Sequence, residues 1–252
     1  MVILRTLGGL DLSASGGREL TSVLSQPKRF AVLAYLAVAR PPGLHRRDTL
    51  LTLFWPEMEE ARARNALSQS LSFLRRELPV QAILARGAEE VGLDSSLLVS
   101  DVEQFRAAMR GRRWGEALQH YRGEFLSGFH IYGAPGFEEW VQAERDLLLD
   151  SAADCAWDLA RDQVRQGALE EGEKTAKKAL GLACPDERTV ERFMELLMLA
   201  GDRVSALRLY ERFSAILKTS LNLTPSPALK ALAERLRTDP GEVGQGMGLG
   251  TP

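Results

Sequence analysis

Cysteine and histidine are scarce in this chain of 252 residues, which has two of the first and three of the second. Cys155 and Cys184 lie far apart, form no CxxC step and have no histidine pair nearby, so buried or idle thiols are expected rather than a disulfide, a metal site or a nucleophile. His45, His120 and His130 fall in unrelated segments without HxxxH or HExxH spacing and read as structural. No GxSxG or comparable nucleophile motif occurs. No apolar run approaches a membrane span, and Met1 leads into no signal-peptide pattern, so the expected location is the cytoplasm, away from membranes. With nucleophile, base and metal ligands all missing as a set, neither an enzyme nor a cofactor site is expected.

Net charge is also small, at −2, but it is unevenly spread. Residues 1–100 carry 12 Lys+Arg against 10 Asp+Glu, whereas 101–252 carry 20 against 24. A mildly basic first half and an acidic second half fit a DNA-binding module joined to a protein-binding one. The length allows two domains, each burying its own core.

The stretch from Phe54 to Leu78 is the most informative. Leu67, Leu71, Leu74 and Leu78 recur at helical spacing and form one face. At about 100° per residue, Arg62, Asn65, Gln69, Ser72 and Arg76 gather opposite them, with no carboxylate among them. Guanidinium, amide and hydroxyl groups are the side chains that read base edges in a major groove. A plain solvated helix could carry the same charges, so the neighbouring elements decide. Met1–Leu12 reads as extended chain broken at Gly8-Gly9, and Arg18–Leu24 as a second extended piece. Ser25 and Pro27 are expected to open an amphipathic helix with Phe30, Leu33, Ala34 and Ala37 inward, stopped by Arg40-Pro41-Pro42-Gly43. A short helix starting at His45–Asp48 should bury Leu50, Leu51 and Phe54. Gln81–Arg86 and Glu89–Leu93 read as a hairpin turning at Gly87. Strands, three helices and a hairpin make a winged helix-turn-helix over 1–100, whose third helix (59–78) enters the groove while the hairpin touches the backbone.

Beyond Asp101 the sequence is helical. Gly167 and Gly201 are 34 residues apart, the tetratricopeptide period. The segment from Gly201 to Tyr210 resembles that from Gly111 to Tyr121 with a one-residue slip, a glycine ending one helix and Ala206 or Ala117 letting the next pack closely. An all-α tetratricopeptide-like domain is therefore expected over 101–238, followed by a disordered glycine-rich tail over 239–252. The overall class is mainly α with small β elements. Gly167 to Thr175 comes within one residue of a phosphate-binding loop, but Glu173 interrupts the Gly-Lys step and no strand precedes it, so a repeat turn without nucleotide is expected. Glu138, Glu139, Glu144 and Asp146 read as a solvated helix face, and Trp114, Trp140 and Trp157 as repeat core.

The segments Pro27–Leu36, Arg47–Pro56, Ala61–Leu78, Val91–Asp94 and Asp101–Phe105, then Tyr121–Leu126, Glu139–Val141, Arg208–Arg212 and Leu223–Pro227, occur in an order that resembles the Streptomyces antibiotic regulatory protein (SARP) family. These transcription factors join a winged helix to a bacterial transcriptional activator domain. The resemblance spans nearly all of residues 1–238 and implies transcription activation, with double-stranded DNA as partner and RNA polymerase touched by the exposed loop Trp55–Glu60. It favours phosphate contacts for Lys28, Arg29, Arg46 and Arg47, while the wing has only Arg86 to offer. Two copies pairing on repeated half-sites would extend the short reading helix. The rival function is a tetratricopeptide adaptor whose winged helix docks protein rather than DNA.

Overall fold

The structure, a computed structural model, describes residues 1–238. The tail expected to be disordered, 239–252, lies outside the described residues. The chain divides into two compact units, Met1–Cys155 and Ala156–Pro252.

The first unit begins with β1 (Val2–Arg5) and β2 (Asp11–Ala14), antiparallel with Val2 opposite Ala14 and Arg5 opposite Asp11. The expected extended piece up to Leu24 ends sooner: after a bridge from Glu19 to Ser13 the chain makes one helical turn, α1 (Thr21–Leu24). Next is α2 (Pro27–Val38), with Pro27 at its first turn. The expected serine cap does not form, because the Ser25 hydroxyl donates to the Ser22 carbonyl and Gln26 occupies the cap position. Nor is α2 amphipathic in the ordinary sense. Every residue from Phe30 to Leu36 is buried, which makes it the central helix of the unit, and Ala37 is only half-buried.

His45 and Arg46 form a strand, β3 (Leu44–Arg46), rather than a helix start, and α3 (Arg47–Phe54) follows it with Leu50, Leu51 and Phe54 buried as expected. Then come α4 (Glu60–Glu77), β4 (Ile83–Arg86), β5 (Glu90–Leu93) and β6 (Leu98–Ser100). The hairpin β4–β5 is antiparallel, and β3 completes a three-stranded sheet in the order β3-β5-β4. A Cβ on Gly92 would meet the Gly43 carbonyl oxygen at 2.3 Å, so only glycine lets β5 approach this closely. β6 returns to pair in parallel with β1, giving a second sheet in the order β2-β1-β6. The N-terminal module is thus a winged helix with two small three-stranded sheets.

This unit continues through α5 (Asp101–Arg110), α6 (Trp114–His120) and the first part of α7 (Pro135–Arg165). Asp101 explains why. Its buried carboxylate accepts from the amides of Thr6, Leu7 and Val102 at 2.8–2.9 Å and from the Thr6 hydroxyl at 2.9 Å. Burial pushes this carboxyl above its ordinary range, and the hydrogen bonds oppose the rise. Gly123 closes against Gly8, where a Cβ would stand 2.9 Å from the Gly8 Cα, and the Gly8 amide donates to the Glu124 carbonyl. Arg145 donates to the carbonyls of Phe125 and Leu126.

Glu144 is not on a solvated face: it is buried with Arg106 at 2.6 Å, side chains 7% and 11% exposed, and Arg106 also donates to the Val38 carbonyl. Glu138 likewise accepts from the Ile131 amide at 2.8 Å. Trp140 is not repeat core either. It meets Tyr35 and Phe137 at a tilt and Phe125 edge-on, at ring distances of 4.8–5.8 Å, and Phe137 in turn meets Phe54 at 5.1 Å. This aromatic cluster joins the segment after Tyr121 to α2 and α3 of the winged helix.

In the second unit the remainder of α7 is followed by α8 (Leu169–Leu182), α9 (Glu187–Leu199), α10 (Arg203–Ile216), a π-helical turn (Leu217–Leu221) and α11 (Pro227–Thr238). Trp157 packs edge-on against Phe193 at 5.4 Å, as core. Gly167 and Gly201 have φ of 84° and 79°, the left-handed conformation that ends a helix. The one-residue slip of the Gly111 segment has a simple cause: there Arg112, not the glycine, takes the left-handed position, with φ of 53°. Counting from these three residues, Ala117, Gly172 and Ala206 are equivalent, each five positions on. A Cβ on Gly172 would meet a Val164 methyl at 2.6 Å, so the small residue is there for helix contact and the near-phosphate loop is a repeat turn. Asp186 and Asp202 cap α9 and α10 through the amides of Thr189 and Ser205.

Candidate nucleic-acid interface

α4 is built as the sequence requires. Leu67, Leu71, Leu74 and the flanking Leu78 are buried, together with Ala63 and Ser70, whose hydroxyl back-bonds to the Ala66 carbonyl at 2.8 Å. Glu60 in the first turn and Arg75 and Arg76 in the last suit the helix dipole. On the opposite side Arg62, Asn65, Gln69, Ser72 and Arg76 are all exposed and share one stripe. Two of them have acidic neighbours: Arg62 lies 3.7 Å from Glu59, and Arg76 donates through Nε to Glu77 at 3.3 Å. The other Glu77 oxygen accepts from Ser22, and that bond, with Arg76 behind it, holds the carboxyl below the ordinary range.

Asn65, Gln69, Ser72 and Arg76 also line a shallow depression of about 430 Å³, together with Ser68, Phe73 and, from α2, Arg29. The residues expected at phosphate are dispersed. Lys28 turns inward, its ammonium donating to the Phe54 carbonyl at the C-terminus of α3 at 2.9 Å and lying over the Trp55 ring; burial lowers its pKa. Arg86 is exposed on the wing but paired with Glu90. Arg46 is exposed, 3.5 Å from Asp48. Arg47, half-buried at the start of α3, keeps a buried Nε without a partner, and its pKa is lowered by burial first and then by Arg75 and Arg64. Arg47, Arg64 and Ser68 line a second small depression against Ala88 of the wing turn. Arg64 was missed in the sequence because it lies beside the leucine face rather than on the stripe; it bridges Asp48 and Glu60 at 3.0 and 2.9 Å. Among the described residues no group of His, Cys, Asp or Glu could hold a metal ion, and no helix is long and apolar enough to cross a membrane.

Residues 96–237 match the bacterial transcriptional activator domain. The chain belongs to that family. The resemblance to SARP-type regulators is thereby borne out. Its fold is also that of a solved structure, Mycobacterium tuberculosis EmbR in complex with a low-affinity phosphopeptide, at a TM-score of 0.55 and 23% identity over 94% of this chain. The chain spans 65% of the EmbR chain, just under two thirds, and at this identity the likeness concerns the fold. No curated protein sequence matches it. The activator domain begins at residue 96, whereas packing divides the chain at 155, within α7. Family and packing boundaries therefore differ, and the aromatic cluster around Trp140 is the physical reason.

Proposed function

We propose that this protein is a sequence-specific DNA-binding transcriptional activator that reads the major groove with α4. The observation that carries the reading is the exposed stripe of Arg62, Asn65, Gln69, Ser72 and Arg76, which stands opposite the buried leucines and contains no carboxylate of its own. Arginine pairs with guanine and asparagine or glutamine with adenine through two hydrogen bonds each, and the helix presents both kinds of group. Arg46 and Arg47 at the start of α3, and Arg86 on the wing, flank that stripe as phosphate contacts. Lys28 contributes less, since it turns inward and its ammonium already donates to the Phe54 carbonyl, whereas Arg46 and Arg86 stay exposed beside Asp48 and Glu90. The helical-repeat part acts by contact, in self-association on repeated half-sites or in recruiting RNA polymerase. The loop before α4, where Met58 is 49% exposed, offers an accessible surface for the polymerase. The adaptor reading keeps the same fold but docks protein on α4. A mobility-shift assay of the full chain on duplex DNA from upstream of its own operon separates the two. A shift that survives excess random duplex supports the DNA reading, and none at any concentration supports the adaptor.

A further inference from the structure

Phe73 sits at the edge of the exposed stripe of α4, half-buried, and two arginines from different helices lie over its ring. The guanidinium carbon of Arg29, from α2, is 4.2 Å from the ring centre, and that of Arg76 is 5.3 Å away. Arg76 spends its Nε on Glu77. Arg29 has no hydrogen bond or ion pair among the described residues, so its five N–H donors are unclaimed while its guanidinium carbon lies over the ring. Such stacking holds a guanidinium without using a donor, whereas a carboxylate partner would use one or two. A phosphate needs only a nearby positive charge. The edge of guanine needs a planar fork in a fixed direction.

Resting on the DNA reading above, we propose that Phe73 is a positioning residue that turns Arg29 into a base-reading arginine, so that α2 reads one base pair beside those read by α4. Arg29 opens onto the same depression as Asn65, Gln69 and Arg76, which puts its fork at the edge of the reading stripe rather than out on the backbone flank. The role expected from the sequence, a phosphate contact at the start of α2, is thereby replaced by a specific one. Phe73 itself makes no base contact in this scheme. Its ring supplies the plane against which two forks are held.

The test uses the full chain throughout. Duplexes are selected from a random library with the wild type, and the selected consensus and a random duplex are then used to compare Arg29→Lys, Phe73→Leu and Phe73→Tyr, with melting temperatures recorded. Arg29→Lys keeps the charge and loses the fork, so binding to the selected duplex should fall by about ten-fold or more, that to the random duplex by less than about two-fold, and one guanine preference should disappear on reselection. Phe73→Leu should lose the same guanine preference, and Phe73→Tyr, which keeps the ring, should retain it. If Phe73→Leu does not fold, Arg29→Lys still decides, because it leaves the ring and the core untouched. Retention of every base preference by Arg29→Lys overturns the proposal while leaving the DNA reading intact. Failure of the wild type to enrich any sequence overturns both.

Discussion

At Leu71 the two faces of α4 can be told apart by stability alone. The side chain is fully buried, so Leu71→Ala should lower stability by about 2–5 kcal/mol, whereas truncating exposed Gln69 should change it by no more than about 0.5 kcal/mol. Chemical denaturation of the two variants checks this, and an unaltered midpoint for Leu71→Ala would reverse the faces. His45 gives the winged helix a pH dependence. It is buried in β3 beside Tyr35, its Nε2 has no partner, and burial lowers its pKa from the ordinary 6.5. The unfolded chain therefore binds the proton more readily than the folded one. Stability should be full above about pH 6.5 and fall as the pH drops from there through the lowered folded value. A His45→Gln variant should lose this part of the slope in melts between pH 7 and 5, and an identical slope would assign the effect to other groups.

Among the elements, helices with a strong apolar repeat were legible from sequence and the short pieces between them were not. The leucines of α4 and the hairpin turning at Gly87 could be read directly, since each signal lies within one element. β3, β6 and the single turn α1 could not: three or four residues carry no periodicity, and β6 exists because β1 lies beside it. The same limit hid the ends of long-range contacts. Glu144 looks like a surface carboxylate until Arg106, 38 positions away, is brought against it. Gly123 belongs with these, its need for glycine coming from Gly8 across the fold. Gly123→Ala should force backbone apart and destabilise the first unit by about 1–3 kcal/mol, measured as a lowered melting temperature. An unchanged melt would mean the two loops separate freely.

Across the whole molecule, the order of a winged helix and a helical repeat was visible because each has its own period, in the wing's alternation and in the glycine spacing of the repeats. Where packing divides the chain was not visible, since Trp140 reads as a repeat residue until it is seen against Tyr35 and Phe137. The candidate site followed the same pattern. The stripe on α4 was legible because one helix supplies it, whereas the inward turn of Lys28 and the contribution of Arg29 depend on neighbours from other segments. The claim that matters most is that this stripe reads bases rather than merely attracting DNA. Its most direct test is the affinity of full-length Gln69→Ala for a selected duplex and a random one, titrated across salt concentrations. The account predicts a loss of about 1–3 kcal/mol on the selected duplex, far less on the random one, and an unchanged salt slope. An equal loss on both duplexes would contradict it.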